Sequence, residues 1–288
     1  VWQMQTVDSN SNIQGYPLGL NIWEDNIKMY ELNEIMRQRD EKEWAQFLNR
    51  LRESPLRESD REYINERIIA SDHAIIPDAN YITLTNDKCD IINNIWFLSA
   101  PTDQRYVIAA DDVHSGNAPI SPASIQSNIE TVDRGEVQNL PAKLNLAIGH
   151  EYDFVINLDT IDGITNGTPC IAMKYQKHSP KGDIIWVDPR DPRVGKYWRQ
   201  TYRYLYDDSI PNIWLPVIRH SLPCKSKYFT RKQFPLRASK ARTVNRTQGA
   251  TLSKIVVDFS DKKGHTSHCH YVAFSRCPSK SNVYIPVS

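Results

Sequence analysis

The stretch ARTVNRTQGATLSKIVVDFS, residues 241–260, constrains the fold of this chain more than any other segment. Its second half is a short apolar run with β-branched residues, which is typical of a strand buried in a parallel sheet. Its first half predicts the polar start of a short helix and then a turn at Gly249. That half also carries side chains that bind phosphate oxygens, namely Arg242, Thr243, Asn245, Arg246, Thr247 and Gln248. We therefore expect a buried strand that follows a phosphate-binding turn.

Strand and helix patterns alternate near both ends of the chain. ANYITLTND predicts a strand with a polar turn, and DKCDIINNIWFL after it predicts a helix. LSKIVVDFS, SHCHYVAFSRC and SNVYIPV predict a strand, a helix and a last strand. This order is typical of an α/β domain with a parallel sheet.

Two more helices are expected ahead of these elements. Apolar residues between Trp44 and Leu51 recur at helical spacing, so they form one apolar face. Ser59 and Glu62 have the spacing of a capping box, so a second helix should begin there and run to about Ile68.

The middle of the chain has a different character. Residues 112–139 are rich in Ser, Asn, Asp and Pro, which predicts a loop excursion. HEYDFVINLD and GTPCIAMKY predict strands on either side of a turn, and residues 183–233 alternate short β-like runs with proline. We therefore predict an α/β fold in which a small β-rich module interrupts a parallel-sheet domain.

Charge is unevenly distributed along the chain. The net charge is +1, yet the 49 residues between Asp208 and Asp258 contain ten Lys or Arg residues and no acidic residue. Such a stretch indicates a polyanionic partner, and the alternative is a solvated basic face. No apolar run approaches the roughly 18 residues of a membrane span, so no membrane partner is expected. The five widely spaced cysteines lack a C-x-x-C pair, which predicts a reducing compartment and no metal site.

Six stretches of the sequence, distributed along most of the chain, together form a recognisable series of motifs. In chain order they are VWQMQTV, ELNEIMRQRDEKEWAQFLNRLRES, LTNDKCDIIN, NLPAKLNLAIGHEYDFVINLDTIDGITNGT, RKQFPLRASKARTVNRTQGATLSKIVVDF and HCHYVAFSR. They resemble the motifs of the Pif-type (petite integration frequency) DNA helicases of superfamily one, including Helitron-like relatives. The resemblance covers most of the chain and implies that it is the C-terminal half of such a helicase.

The resemblance implies a second RecA-like motor domain that carries a small β-barrel insertion. Residues 1–30 would be the tail end of the first RecA-like domain, and residues 31–110 the first part of the second. Residues 111–140 would form the loop excursion, residues 141–235 the barrel insertion, and residues 236–288 the rest of the second domain. The first RecA-like domain is expected to be largely absent, because the chain has no G-x-x-x-x-G-K-[ST] phosphate-binding loop.

The sequence departs from the family pattern near the expected site. Asn245, Arg246 and Thr247 stand where His-Lys-Ser is usual, and Ala250 replaces a common Gln. Arginine keeps the charge and threonine keeps the hydroxyl, so phosphate contact is still expected. The pattern of a Walker B strand is superficially matched by YVIAADDVHSG. Its position matches a non-catalytic stretch of the family, so we expect no metal site there.

The resemblance assigns ATP binding to Gln3, Arg37, Gln248, Gly249 and Arg276. Within this set, Arg37 and Arg276 would be arginine fingers, and Gln3 would sense the γ-phosphate. A planar, permanently charged guanidinium suits the finger role. The alternative for Arg37 is a surface ion pair with Asp40 or Glu41.

The residues that the resemblance assigns to single-stranded DNA are Thr85, Asn86, His150, Thr243, Asn245, Arg246 and Thr247. Asn166, near the expected barrel, is a further candidate for DNA contact. Structural alternatives stay open for the threonines, because Thr85 can cap the helix that follows it, and Thr243 and Thr247 can cap backbone groups.

The resemblance also implies a function for the complete enzyme. It would hydrolyse ATP with Mg²⁺ and translocate 5′ to 3′ on single-stranded or forked DNA. This chain would need the missing N-terminal RecA-like domain as its partner and would lack ATPase activity alone, because Walker A and B motifs are absent. Roles in DNA repair, recombination and telomere maintenance are implied, with a nuclear location or, alternatively, a mitochondrial one. The rival functions are a non-catalytic nucleic-acid-binding remnant of a mobile-element helicase and an unrelated soluble enzyme.

Overall fold

The computed structural model describes residues 5–7, 13–15, 28, 36–53, 56–70, 74–114, 121–132, 134–179, 182–224, 228–260 and 267–287. Its α-helices are α1 Lys42–Glu53, α2 Glu58–Asn65, α3 Asn86–Ser99, α4 Pro122–Thr131, α5 Lys196–Thr201 and α6 Ser267–Phe274. Its strands are β1 Gln5–Val7, β2 Ile13–Gly15, β3 Ile68–Ile69, β4 Asn80–Thr83, β5 Arg105–Ala109, β6 Asp111–His114, β7 Lys143–Ala147, β8 Glu151–Phe154, β9 Pro169–Ser179, β10 Gly182–Asp188, β11 Leu215–Val217, β12 His220–Cys224, β13 Phe229–Gln233, β14 Leu236–Ala238, β15 Ala241–Thr243, β16 Ile255–Asp258 and β17 Val283–Pro286.

A five-stranded parallel sheet, in the order β15-β4-β16-β17-β3, carries helices on both faces. Alternate residues of β16 pack on opposite faces of this sheet. Ile255 and Val257 share a core with Trp44 of α1 and with α6, whereas Val256 packs with Ile92 of α3. Burial on both faces explains why the β16 sequence is continuously apolar. The predicted α/β class and the predicted buried strand are confirmed.

Antiparallel strands β5–β14 form a second body, which we call the β module. Strands β11-β10-β9-β8-β14 make one sheet, β12-β13-β6 make another, and β5 pairs with β7. Fully buried side chains such as Leu146, Tyr152, Phe154 and Phe234 fill its core. The β-rich character predicted for the middle of the chain is confirmed, although β5, β6 and β14 lie outside residues 141–235. The chain passes from β14 of this module to β15 of the parallel sheet within two residues.

Helix α2 begins differently from its prediction. Its N-cap is Arg57 rather than Ser59, and the capping carboxylate comes from Asp60 rather than Glu62. Asp60 accepts a hydrogen bond from the Arg57 backbone N at 3.2 Å. The guanidinium of Arg50 on α1 donates to the same carboxylate at 2.9 and 2.7 Å. A tertiary ion pair therefore decides which of two nearby carboxylates caps the helix.

Two further local predictions are wrong. Helix α2 ends at Asn65, before Ile68, because residues 68–69 form an edge strand that pairs with β17. The predicted loop over 111–140 contains strand β6, helix α4 and a 3₁₀ helix. Helix α4 has a serine N-cap whose hydroxyl accepts from the Ser124 backbone N at 3.2 Å, with proline at the first helical position. Serine and proline therefore mark a helix start here, not a loop.

Within the described ranges, no helix combines the length and apolar character needed to cross a membrane.

Candidate nucleic-acid interface

A cleft of about 740 Å³ opens where the parallel sheet meets the β module. We call it the arginine cleft. Its lining residues are Asn86, Asn139, Asp153, Thr165, Asn166, Gly167, Thr168, Arg237, Arg242, Thr243, Arg246, Gln248, Gly249 and Ala250. The wall is thus composed mainly of guanidinium, hydroxyl and amide groups, with one carboxylate.

One wall of the cleft is the turn that follows β15. Strand β15 pairs in parallel with β4, which brings its carboxyl end beside the first turn of α3. Residues Val244–Thr247 then form a 3₁₀ helix, so the predicted polar helix start is instead a strand followed by a 3₁₀ turn. Gly249 leaves the turn at φ +82°, a left-handed conformation that favours glycine.

The opposite wall is the turn between β8 and β9. The Asn166 backbone N donates to Asn157 Oδ1 at 2.8 Å, and the Thr165 backbone N donates to Thr168 Oγ1 at 3.0 Å. Gly167 has φ +91°, which again favours glycine. Side-chain hydrogen bonds thus fix this turn, and the exposed Asn166 side chain lies at the cleft.

Three arginines and one carboxylate set the charge of the cleft. Arg242 Nη2 lies 2.8 Å from Asp153 Oδ1, and Arg246 Nη2 lies 2.9 Å from Asp153 Oδ2. Asp153 is 2% exposed. Burial raises the pKa of Asp153, and the neighbouring charges of Arg242, Arg246 and Arg237 oppose that rise. Because arginine stays protonated in proteins, the cleft carries excess positive charge and suits an anionic oxygen ligand.

The cleft brings together six of the residues predicted from sequence to contact DNA or ATP. Asn86, Asn166, Thr243 and Arg246 were predicted for DNA, and Gln248 and Gly249 for ATP; all six line the same cleft. Both kinds of predicted contact therefore share one surface.

Thr247 does not have the accessible hydroxyl that was predicted for it. Its side chain is fully buried and donates to the Val244 carbonyl O at 2.7 Å. A direct DNA contact by Thr247 is therefore wrong for this arrangement, and the alternative of a backbone cap is confirmed. Thr243 makes no such side-chain cap, so that alternative is wrong for Thr243.

Three other predicted DNA residues lie outside the cleft lining. Thr85 is the N-cap of α3, and its hydroxyl accepts from the Lys88 backbone N at 3.3 Å, which confirms the capping alternative. Asn245 is an exposed residue of the 3₁₀ turn. His150 stacks on the Trp96 ring at 4.6 Å between centroids, and burial lowers its pKa. These three residues therefore do not contribute to the group of side chains that lines the cleft.

The two predicted arginine fingers, Arg37 and Arg276, lie close to each other at a second site, outside the cleft lining. Arg37 donates from Nε to Thr251 Oγ1 and from Nη1 to the Ser275 carbonyl O, both at 3.0 Å. Arg276 donates to the Val272 carbonyl O at 2.9 Å and to the Ser275 hydroxyl at 2.8 Å. Among the described residues neither arginine pairs with a carboxylate, so we call them the unpaired arginines.

The charges of the unpaired arginines are close enough to interact. Burial lowers the pKa of Arg276, and the charge of Arg37 lowers it further. The ion pair proposed as an alternative for Arg37 is wrong, because Asp40 pairs with Arg39 and Glu41 accepts from the Lys280 backbone N at 3.0 Å. Two neighbouring cations that no carboxylate of the described residues pairs with form a site that an anionic ligand would stabilise. Gln3, the remaining predicted ATP residue, lies outside the described residues.

One short segment joins the two places. Gln248 and Gly249 line the arginine cleft, and Thr251, two residues further on, accepts a hydrogen bond from Arg37. Residues 248–251 therefore connect the cleft lining directly to Arg37.

Comparison with known proteins adds an independent observation. No family model and no curated protein matches the chain. Among solved structures, the Pif1 helicase from Candida albicans superposes with a TM-score of 0.64 at 20% identity, covering 93% of this chain and 59% of that chain. Bacteroides Pif1 bound to single-stranded DNA gives a TM-score of 0.58 at 18% identity, covering 88% and 50%. Bacteroides Pif1 with ADP-AlF3 and single-stranded DNA gives 0.56 at 19% identity, covering 89% and 51%. This chain has the fold of the Pif1 helicases.

The Pif1 likeness confirms, at the level of the fold, the resemblance that the six motifs predicted and the RecA-like α/β architecture. The chain spans about three fifths of the Candida protein and about half of the Bacteroides protein.

Within this Pif1 fold, the basic stretch between Asp208 and Asp258 is not one open basic face. Five of its cations pair with carboxylates from outside the stretch: Arg219, Arg231, Arg242, Arg246 and Lys254. A sixth, Lys240, donates to the Ile76 and Pro77 carbonyl groups. The acid-free composition therefore serves tertiary contacts, and three arginines of the stretch, Arg237, Arg242 and Arg246, also line the cleft.

Sequence reasoning did not assign Asp153, Thr165, Thr168 or Arg237 to the site. A usable signal exists for Asp153 alone, because EYDFVIN places this carboxylate between the aromatic residues Tyr152 and Phe154 of a predicted strand. A buried carboxylate needs a cationic partner, so this position could have been matched with the arginines near residue 242.

Proposed function

We propose that this chain is the second motor lobe and the DNA-gripping part of an ATP-dependent 5′–3′ DNA helicase. The observation that carries the proposal is the arginine cleft, joined through residues 248–251 to the unpaired arginines. The first feature suits a nucleic-acid backbone and the second suits the phosphates of a nucleotide. The segment between them supplies a physical route for coupling.

The DNA partner follows from the chemistry of the cleft. Guanidinium, hydroxyl and amide donors bind phosphate oxygens without reading base sequence, as a translocating motor requires. Bacteroides Pif1, which shares this fold, has been solved with single-stranded DNA. We assign single-stranded or forked DNA to the cleft, with Asn86, Thr243 and Arg246 as backbone contacts.

The nucleotide role belongs to the unpaired arginines. In two-lobed motors, a guanidinium from one lobe stabilises charge on the phosphoryl group that the other lobe holds. Bacteroides Pif1 has also been solved with ADP-AlF3. The guanidinium groups of Arg37 and Arg276 can donate to phosphate oxygens. No cluster of three or more His, Cys, Asp or Glu side chains occurs among the described residues, and we assign Mg²⁺ binding to the first lobe. ATP hydrolysis would therefore require that first lobe.

We also propose that the complete protein is nuclear and acts in DNA repair, recombination and telomere maintenance.

The test is the salt dependence of single-stranded DNA binding by this chain. Three cleft arginines on phosphates give a slope of log affinity against log salt of roughly −2. Affinity for a labelled oligothymidine, measured by fluorescence anisotropy, should then fall about 20-fold between about 50 and about 200 mM salt. Absence of binding at the lower salt, or binding that ignores salt, would contradict the proposal.

A further inference from the structure

Asp153 occupies an unusual position for a carboxylate. It lies in β8 of the β module, directly opposite Arg237 of β14 in the antiparallel register. Its neighbours Tyr152 and Phe154 are fully buried core residues, and Asp153 itself is 2% exposed. From this position its two oxygens reach Arg242 and Arg246, which belong to the edge of the parallel sheet.

The two guanidinium groups are only partly occupied by this carboxylate. Each gives one Nη atom to a separate Asp153 oxygen. Arg242 Nε is buried and has no hydrogen-bond partner in the described part of the chain. Since both arginines line the cleft, donors remain for an oxygen-rich ligand. Without the carboxylate, two adjacent cations would repel each other and lose their fixed spacing.

We infer that Asp153 is a positioning residue whose carboxylate holds Arg242 and Arg246 at a fixed spacing, so that their remaining N–H groups bind backbone phosphates of single-stranded DNA. This inference rests on the proposed function. It also makes the β module part of the grip, because the carboxylate that orders the two arginines comes from that module. The opposing possibility is that Asp153 merely neutralises the arginines and weakens DNA binding.

The substitution Asp153→Asn separates these two possibilities by the sign of its effect. It removes one negative charge with little change in shape. A positioning carboxylate predicts that affinity for oligothymidine falls about tenfold, because the charge-assisted hydrogen bonds that order both arginines are lost. A neutralising carboxylate predicts the opposite, namely tighter binding with a salt slope steeper by about 0.7.

Asp112→Asn is the matched control. Asp112 accepts two hydrogen bonds from Arg231, at 2.9 and 2.8 Å, and this pair lies outside the arginine cleft. The control changes the net charge equally and also breaks a well-ordered ion pair. We expect its affinity for DNA to stay within about twofold of wild type. Circular dichroism and thermal melting establish that each variant is folded at the assay temperature.

Arg246→Lys provides a second test if Asp153→Asn fails to fold. Lysine keeps the charge but lacks the fork that reaches the carboxylate and a phosphate together. The inference predicts affinity reduced about fivefold at an unchanged salt slope. Wild-type affinity in Arg246→Lys, or equal or tighter binding by Asp153→Asn, would overturn the inference alone. Absence of binding by the wild-type chain would overturn the proposed function and this inference with it.

Discussion

We expect Arg276→Ala to lower kcat for DNA-stimulated ATP hydrolysis by about 10³-fold in an enzyme that joins this chain to the ATP-binding lobe proposed for it. The guanidinium of Arg276 lies near that of Arg37 and has no carboxylate partner among the described residues. It is therefore available to a phosphoryl group whose charge grows in the transition state. Steady-state hydrolysis measured with saturating DNA checks this prediction.

The control for this prediction is Arg39→Ala. Arg39 lies two residues from Arg37, is exposed, and pairs with the exposed Asp40. Removing it should leave kcat within about twofold, because exposed ion pairs contribute little. Arg276→Lys should recover only a small part of the loss, since lysine lacks the planar fork. Full activity in Arg276→Ala would show that the unpaired arginines do not serve the reaction.

We expect Arg246→Ala to weaken single-stranded DNA binding by about 10- to 30-fold and to make the salt slope less steep by about 0.7. Arg246 lines the cleft, and one of its Nη groups is engaged by Asp153. Its removal takes away one phosphate contact and half of the arginine pair. Arg242 still neutralises Asp153, so the buried carboxylate keeps a partner and the fold is preserved. Anisotropy titrations at several salt concentrations measure both quantities.

Lys232→Ala is the matched control for Arg246→Ala. Lys232 belongs to the same acid-free stretch, is exposed, and lies on β13 outside the cleft. The Lys232→Ala substitution removes one positive charge from the chain, as Arg246→Ala does. We expect affinity to change by less than about twofold. Equal losses in both variants would mean that the overall basic charge of the stretch binds DNA, without a defined site.

Local periodicity explains which parts of the fold could be predicted. The apolar face of α1 and the buried strand β16 are encoded in consecutive residues, so the pattern alone locates them. The start of α2 could not be placed in this way, because Arg50 of another helix selects Asp60 as the capping carboxylate. The 111–140 segment was also misassigned, since serine and proline are common to loops and to helix starts.

In the candidate site, too, some residues could be predicted from the local sequence and others could not. Arg246 and Gln248 lie in a continuous motif, and its resemblance to helicase motifs was enough to single them out. Asp153 lies about ninety residues away in sequence and meets Arg242 only because β14 pairs with β8 immediately before β15 begins. The local sequence pattern does not indicate that β14 pairs with β8. The exclusion of Thr247 likewise depends on the direction that its side chain takes in the folded turn.

Hydrogen–deuterium exchange with and without oligothymidine tests most directly the claim that the arginine cleft grips single-stranded DNA. Backbone amides in a bound turn exchange more slowly, because the ligand stabilises the closed state. The account predicts protection on DNA binding in two separate segments, residues 165–168 and residues 243–250, which form the opposing walls of the cleft. Protection confined to other surfaces, with both segments unchanged, would contradict it.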